Sequence, residues 1–146
     1  MVDGIRVYFE GDKKLKPGFH AFFGNHVRSG LKFDLIHGNG GSETIKDFMN
    51  AVETHPDAFN ILLIDSDKPD NGKLIPSLKS RSEWNSQIAS DVSDDQIHFM
   101  VQVMEAWFLA DRNALKAFYG GAFAENQLPS DPMVERVSKN DVTTGL

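Results

Sequence analysis

The 146 residues, 40% apolar and 25% charged, suit one domain with a buried core and exclude a chain disordered throughout. The absence of cysteine excludes disulfide frameworks and thiolate metal sites, and no run approaches the roughly 18 apolar residues that a membrane span needs. The formal charge of -6 argues against a strongly basic nucleic-acid binder: residues 1–32 carry six bases against three acids, the remainder nine against eighteen.

The first predicted element is a strand, Ile5-Arg6-Val7-Tyr8-Phe9, β-branched and aromatic, stopping at Glu10-Gly11. Asp3 and Glu10 bracket it, which leaves no basic-then-apolar signal peptide, so the expected location is cytoplasmic. A lysine-rich turn with Pro17-Gly18 precedes a helix over His20 to Val27, with Phe19, Phe22, Phe23 and Val27 on its buried side. A second strand, Phe33 to His37, ends in Gly38-Asn39-Gly40-Gly41, and Ser42 is the expected N-cap of a helix from Glu43 to about Thr54. Ile45, Phe48, Met49 and Val52 recur there at helical spacing. Asn60 to Ile64 is the most apolar strand, suited to a central parallel position, and it breaks into Asp65-Ser66-Asp67. A polar loop through Gly72 leads to a weak helix around Arg81 to Ile88. Ile97 to Val103 reads as a strand, and Asp111 as the cap of a helix over Arg112 to Tyr119 closed by Gly120-Gly121. Two units are expected: an α/β domain over 1–124 and a polar segment over 125–146. In the latter, Asn140 to Leu146 reads as an element cut short by truncation. The β-α-β-α-β order argues for a mostly parallel sheet with helices on both faces.

Ligands of such sheets gather at the carboxyl ends of strands, and three polar clusters fall there: Glu10-Gly11, the glycine run, and Asp65-Ser66-Asp67. Alternation along an extended backbone points Asp65 and Asp67 to one side, where two carboxylates repel unless a cation or proton lies between them. Hard oxygen ligands suit Mg2+ or Mn2+. Glu10 then stands as a further ligand or a general base. The plainer alternative is that Asp-x-Asp turns a loop or caps a helix. Gly40 and Gly41 are candidate phosphate contacts at a helix N-terminus, against a simple tight turn. The run lacks both P-loop and dinucleotide spacing. Lys13, Lys14 and Lys16 are phosphate contacts or a solvated loop, and the histidines share no ligand spacing. Trp107, Phe108, Phe118 and Tyr119 read as core packing. Glu105, inside an apolar stretch, is either a metal ligand or the solvent side of an amphipathic helix.

Three segments carry a family resemblance: Val7-Tyr8-Phe9-Glu10-Gly11-Asp12-Lys13-Lys14-Leu15, Leu62-Leu63-Ile64-Asp65-Ser66-Asp67, and the run from Phe99 through Met104-Glu105-Ala106-Trp107 to Asp111. The chain resembles a bacterial domain-of-unknown-function family numbered four-two-seven-six. That family is regarded as Toprim-like and is often encoded near ATPases in defence-associated neighbourhoods. Through it the chain is similar to the Toprim modules of topoisomerases, primases and OLD-family nucleases. The resemblance implies a Toprim/Rossmann-like α/β fold, magnesium at Asp65 and Asp67, and acid/base or metal chemistry at Glu10. One departure is that Asp70 stands where the Toprim pattern has glycine, with Gly72 later.

The expected function is Mg2+- or Mn2+-dependent phosphoryl transfer. The catalytic carboxylates would be Glu10, Asp65 and Asp67, with Glu105 as a further ligand. Nucleic acid is the expected substrate, an ATPase the expected partner protein, and no membrane is involved. Because the chain is acidic, a metal or a partner must supply much of the positive charge that nucleic acid requires. The alternative is a non-catalytic Toprim-like binding or regulatory subunit. A haloacid-dehalogenase-like phosphatase is set aside, because Pro69 stands where that class wants threonine.

Overall fold

Four parallel strands, β1 (Gly4–Glu10), β2 (Lys32–Gly38), β3 (Ala58–Asp65) and β4 (Ile97–Met100), form one sheet in the order β2-β1-β3-β4. The structure is a computed structural model that describes residues 2–145. β1 and β3, the two apolar strands, take the central positions, and β1 pairs with β2 from Gly4↔Lys32 to Glu10↔Gly38. On its other side β1 pairs with β3 from Gly4↔Ala58 to Phe9↔Leu63. The fold is therefore the α/β, Rossmann-like arrangement that the alternating pattern implies.

Among the described residues the helices are α1 (Lys16–Gly24), α2 (Gly41–Thr54), α3 (Leu74–Lys79), α4 (Arg112–Tyr119) and α5 (Lys139–Gly145). Two neighbouring rings of β1 show where the first two lie. Tyr8 meets Phe48 of α2 edge-on at 6.3 Å, and Phe9 meets Phe19 of α1 edge-on at 5.0 Å. Successive strand residues face opposite ways, so α1 and α2 cover opposite faces. The expected buried stripe of α2 holds for Ile45, Phe48 and Met49, whereas Val52 is half-buried.

Several boundaries differ from the sequence expectation. α1 begins at Lys16, not His20, because Pro17 lies in its first turn, where a missing N–H costs nothing. Phe19 is buried there but Phe22 is exposed. Ser42 is not the cap of α2: Gly40, at φ 87°, holds that position, and the Ser42 hydroxyl donates to Glu83. Residues 81–88 form turns in place of a helix, and the helix of that region is α3. β4 stops at Met100, and Met104–Ala110 form a 3-10 helix.

The chain separates into two compact units. One runs through Ile64 and includes Ile75–His98; the other joins Asp65–Leu74 to the chain from Phe99 onward. In the first, Phe48 packs near Trp84, with ring centroids 6.3 Å apart. The second has its own core of Val103, Ala106, Leu109, Leu128, Val137 and Val142. Residues 125–145 thus contribute 3-10 turns, α5 and three core side chains where the sequence offers no periodic signal. Leu146, the last residue of the expected truncated element, lies outside the described residues.

Candidate functional site

Asp65 is the last residue of β3, and the segment after it is clamped to the end of β4 and the chain that follows it. The Ser66 N–H donates to the Met100 carbonyl at 3.2 Å, and the Asp67 N–H to that of Gln102 at 2.9 Å. The Met104 N–H in turn donates to Asp65 Oδ1 at 3.0 Å. Ser66 Oγ closes the turn by donating to the Lys68 carbonyl at 2.6 Å. The loop that carries both aspartates is therefore fixed at four points, within one compact unit.

Asp67 sits at φ 55°, in the left-handed region, and among the described residues it is the one non-glycine with positive φ. The alternation that was expected to aim both carboxylates to one side does not apply, because it requires extended backbone and Asp67 is not extended. A left-handed non-glycine costs on the order of 1 kcal/mol and persists where the surroundings over-determine it. Here those surroundings are the Gln102 hydrogen bond and an ion pair, Lys139 Nζ to Asp67 Oδ1 at 2.5 Å. Lys139 opens α5, and Val142, one helical turn later and fully buried, anchors that helix to the core of the same unit. Sequence reasoning missed Lys139, whose separation of 72 residues from Asp67 leaves no local signal.

Glu10 ends β1, and its carboxylate lies against the first residue of α2. A Cβ added at Gly41 would meet Glu10 Oε2 at 3.1 Å. The helix dipole favours a negative group there. Gly41 therefore admits the protein's own carboxylate at the place where a phosphate contact is expected. Gly40 supplies the positive φ that the helix start requires. Gly38, the last residue of β2, allows strand and helix to touch: a Cβ there would lie 2.8 Å from Thr44 Cα. His37 Nε2 meets the Gly11 carbonyl at 2.7 Å, a structural role. Lys13 and Lys14 are exposed, in a 3-10 turn capped by Asp12. Lys16, half-buried, opens α1.

Glu105 is half-buried in the 3-10 helix Met104–Ala110 and lines a cavity of about 600 Å³ with Asp111 and aromatic rings; of the four aromatics expected in the core, Phe108, Phe118 and Tyr119 are exposed and Trp107 is half-buried. Asp111 caps α4 as expected, its Oδ1 accepting from the Ala114 N–H at 2.9 Å. Among the described residues no three or more His, Asp or Glu side chains gather closely enough to hold a metal by themselves. A site of the kind expected would therefore be built on one or two carboxylates with waters and substrate oxygens, the usual mode of magnesium. The donor set fits that mode: two hard carboxylates one residue apart, one of them already drawing the cationic ammonium of Lys139.

Away from the aspartate pair, Glu83 is a strongly displaced carboxyl. Arg81 Nη2 donates to Glu83 Oε1 at 2.9 Å, the Ser42 hydroxyl donates to the same oxygen, and together they pull the Glu83 pKa from 4.5 down to about 2. Among the described residues, no helix is long and apolar enough to cross a membrane.

Neither curated proteins nor solved structures yield a match to the chain. The family described as Domain of unknown function (DUF4276) matches residues 13–139, a span that takes in Asp65, Asp67, Glu105 and Lys139 and begins after Glu10. The chain belongs to that family.

Proposed function

We propose that this protein is a metal-dependent phosphoryl-transfer protein of the Toprim class, a nuclease working with an ATPase partner in bacterial defence or DNA metabolism. The observation that carries the reading is the clamped Asp65-Ser66-Asp67 turn at the carboxyl end of a central parallel strand, with Asp67 held at φ 55° against a cation. Ligands of open α/β sheets collect at such strand ends, and backbone strain concentrates at working sites. Asp65 and Asp67 would hold Mg2+ or Mn2+. When bound, that ion supplies charge neutralisation and orientation to a phosphate.

The chain's own groups then have separable tasks. The Met104 N–H fixes one oxygen of Asp65, which sets the direction of the other. Lys139, displaced from Asp67, becomes a cation for a phosphate oxygen of the substrate. Glu10, the last residue of β1, keeps the acid/base role that the Toprim resemblance implies for it. Glu105 belongs to the wall of the aromatic cavity and is left out of the ligand set.

The test is cleavage of DNA and RNA in Mg2+ or Mn2+, with and without an ATPase encoded beside it. Asp65→Ala and Asp67→Ala are expected to abolish cleavage, and equal cleavage by either variant ends the proposal. A second reading, a binding or regulatory subunit without turnover, draws on the Lys139–Asp67 pair, because a permanently held ammonium would occupy the cation's place. Metal binding by the pair with no cleavage under any partner condition selects that reading.

A further inference from the structure

The cavity walled by Glu105 and Asp111 lies apart in chemistry from the phosphate site. It encloses about 600 Å³ within one compact unit, and Trp107, Phe108, Phe118 and Tyr119 line it beside the two acids. Among the described residues, no lysine or arginine lines it. Its rim is unusually apolar for a surface, with Phe108 47%, Phe118 82% and Tyr119 53% exposed. The rings are ordered among themselves: Phe118 meets Tyr119 edge-on at 4.9 Å, and Tyr119 lies parallel to Phe123 at 6.5 Å.

Aromatic faces attract cations, and two carboxylates beside them add charge. Of the biological cations, guanidinium is the planar, weakly hydrated one that stacks on rings and also pairs with a carboxylate. The exposed rings extend the surface beyond what a lone cation covers, and grouped aromatics of this kind mark protein-contact patches. We propose that this cavity receives an arginine side chain presented by a partner polypeptide. The guanidinium would lie between Glu105 and the rings, and apolar neighbours of that arginine would cover Phe108 and Phe118. Charge complementarity selects the occupant: an acidic, aromatic pocket without a base of its own favours a basic, apolar-flanked segment.

The test titrates the peptide acetyl-Leu-Arg-Leu-amide into the whole chain. Its twin carries citrulline, a neutral isostere, in place of arginine. The readout is the two indole N–H signals. Trp107 lines the cavity, and Trp84, buried in the other unit, serves as the internal reference. Saturable movement of the Trp107 signal with the arginine peptide is expected. Binding should weaken at least about fivefold with citrulline, with Glu105→Gln and with Phe118→Ala. Phe118 is exposed enough that its truncation leaves the core intact. No binding of the arginine peptide at millimolar concentration, equal affinity for the citrulline twin, or unchanged affinity in Phe118→Ala overturns the assignment. Mn2+ binding is measured on the same Phe118→Ala sample and is expected to be unchanged, which separates this site from the aspartate pair.

Discussion

Replacing Lys139 by methionine is expected to tighten Mn2+ binding while lowering phosphodiester cleavage. In the resting chain the Lys139 ammonium lies 2.5 Å from Asp67 Oδ1, so an arriving ion has to displace it. Both side chains are about half exposed, at 50% and 57%, and water screens a pair of that kind. Such pairs contribute about 0.2–1 kcal/mol, so their removal is expected to lower the Kd for Mn2+ by about 1.4- to 5-fold. Methionine keeps an unbranched apolar stem, one atom shorter than lysine, without the charge. Titration calorimetry at low salt reads the change directly. Near 1 M salt, where the Debye length falls to about 3 Å, the advantage of Lys139→Met should largely disappear. Cleavage should move the opposite way, because the same lysine is assigned to the phosphate. Weaker or equal Mn2+ binding by Lys139→Met at low salt would refute the competition, and undiminished cleavage would refute the phosphate contact.

Three further outcomes follow from the geometry. Asp67→Gly and Asp67→Ala should lose metal equally but differ in stability: at φ 55° glycine is at ease and alanine is not. The glycine variant should melt higher, by about 2–4 °C for a difference on the order of 1 kcal/mol. Gly38→Ala should destabilise by about 1–3 kcal/mol in denaturant unfolding, because its new methyl would lie 2.8 Å from backbone Thr44 Cα, which cannot swing aside. Glu83 is held below its ordinary pKa by Arg81 and Ser42, so its ionised form favours the folded chain. That contribution is complete above about pH 4.5 and is lost as pH falls toward about 2. Melting temperatures of Glu83→Gln and the parent should therefore converge across that window, and a constant gap would contradict the assignment.

Some of this architecture was legible before any coordinates, and the reasons are local. Ile61-Leu62-Leu63-Ile64 is apolar on both faces, which suits a strand covered on both sides, and β3 is central. Asp111 announces α4 because its carboxylate reaches an N–H only three residues on, and Gly120 ends that helix at φ 59°. The errors arise where two local signals compete. Pro17-Gly18 reads as a turn, yet proline in a first helical turn is equally at home, and α1 starts there. Ser42 has the chemistry of a cap but spends its hydroxyl on Glu83, 41 residues away. The stretch 81–88 has helical residues, but Asn85 Oδ1 takes the Gln87 N–H into a local turn.

The site divides along the same line. Asp65 and Asp67 stand out because a fully apolar strand breaks into acid, a boundary visible in a few residues. Their backbone anchors at Met100, Gln102 and Met104, and the lysine that meets Asp67, come from distant parts of the chain. Pairing of that kind depends on tertiary structure, and no periodicity encodes it. Glu105 illustrates the converse. A carboxylate in an apolar run implies a special environment, and the environment is a wall of aromatic rings.

The central claim concerns the aspartate pair, and Mn2+ calorimetry on the parent chain, Asp65→Ala and Asp67→Ala tests it most directly. The account predicts saturable binding by the parent at millimolar concentration or below, and its loss in both variants. No heat of binding in the parent, or undiminished binding in either variant, would contradict it.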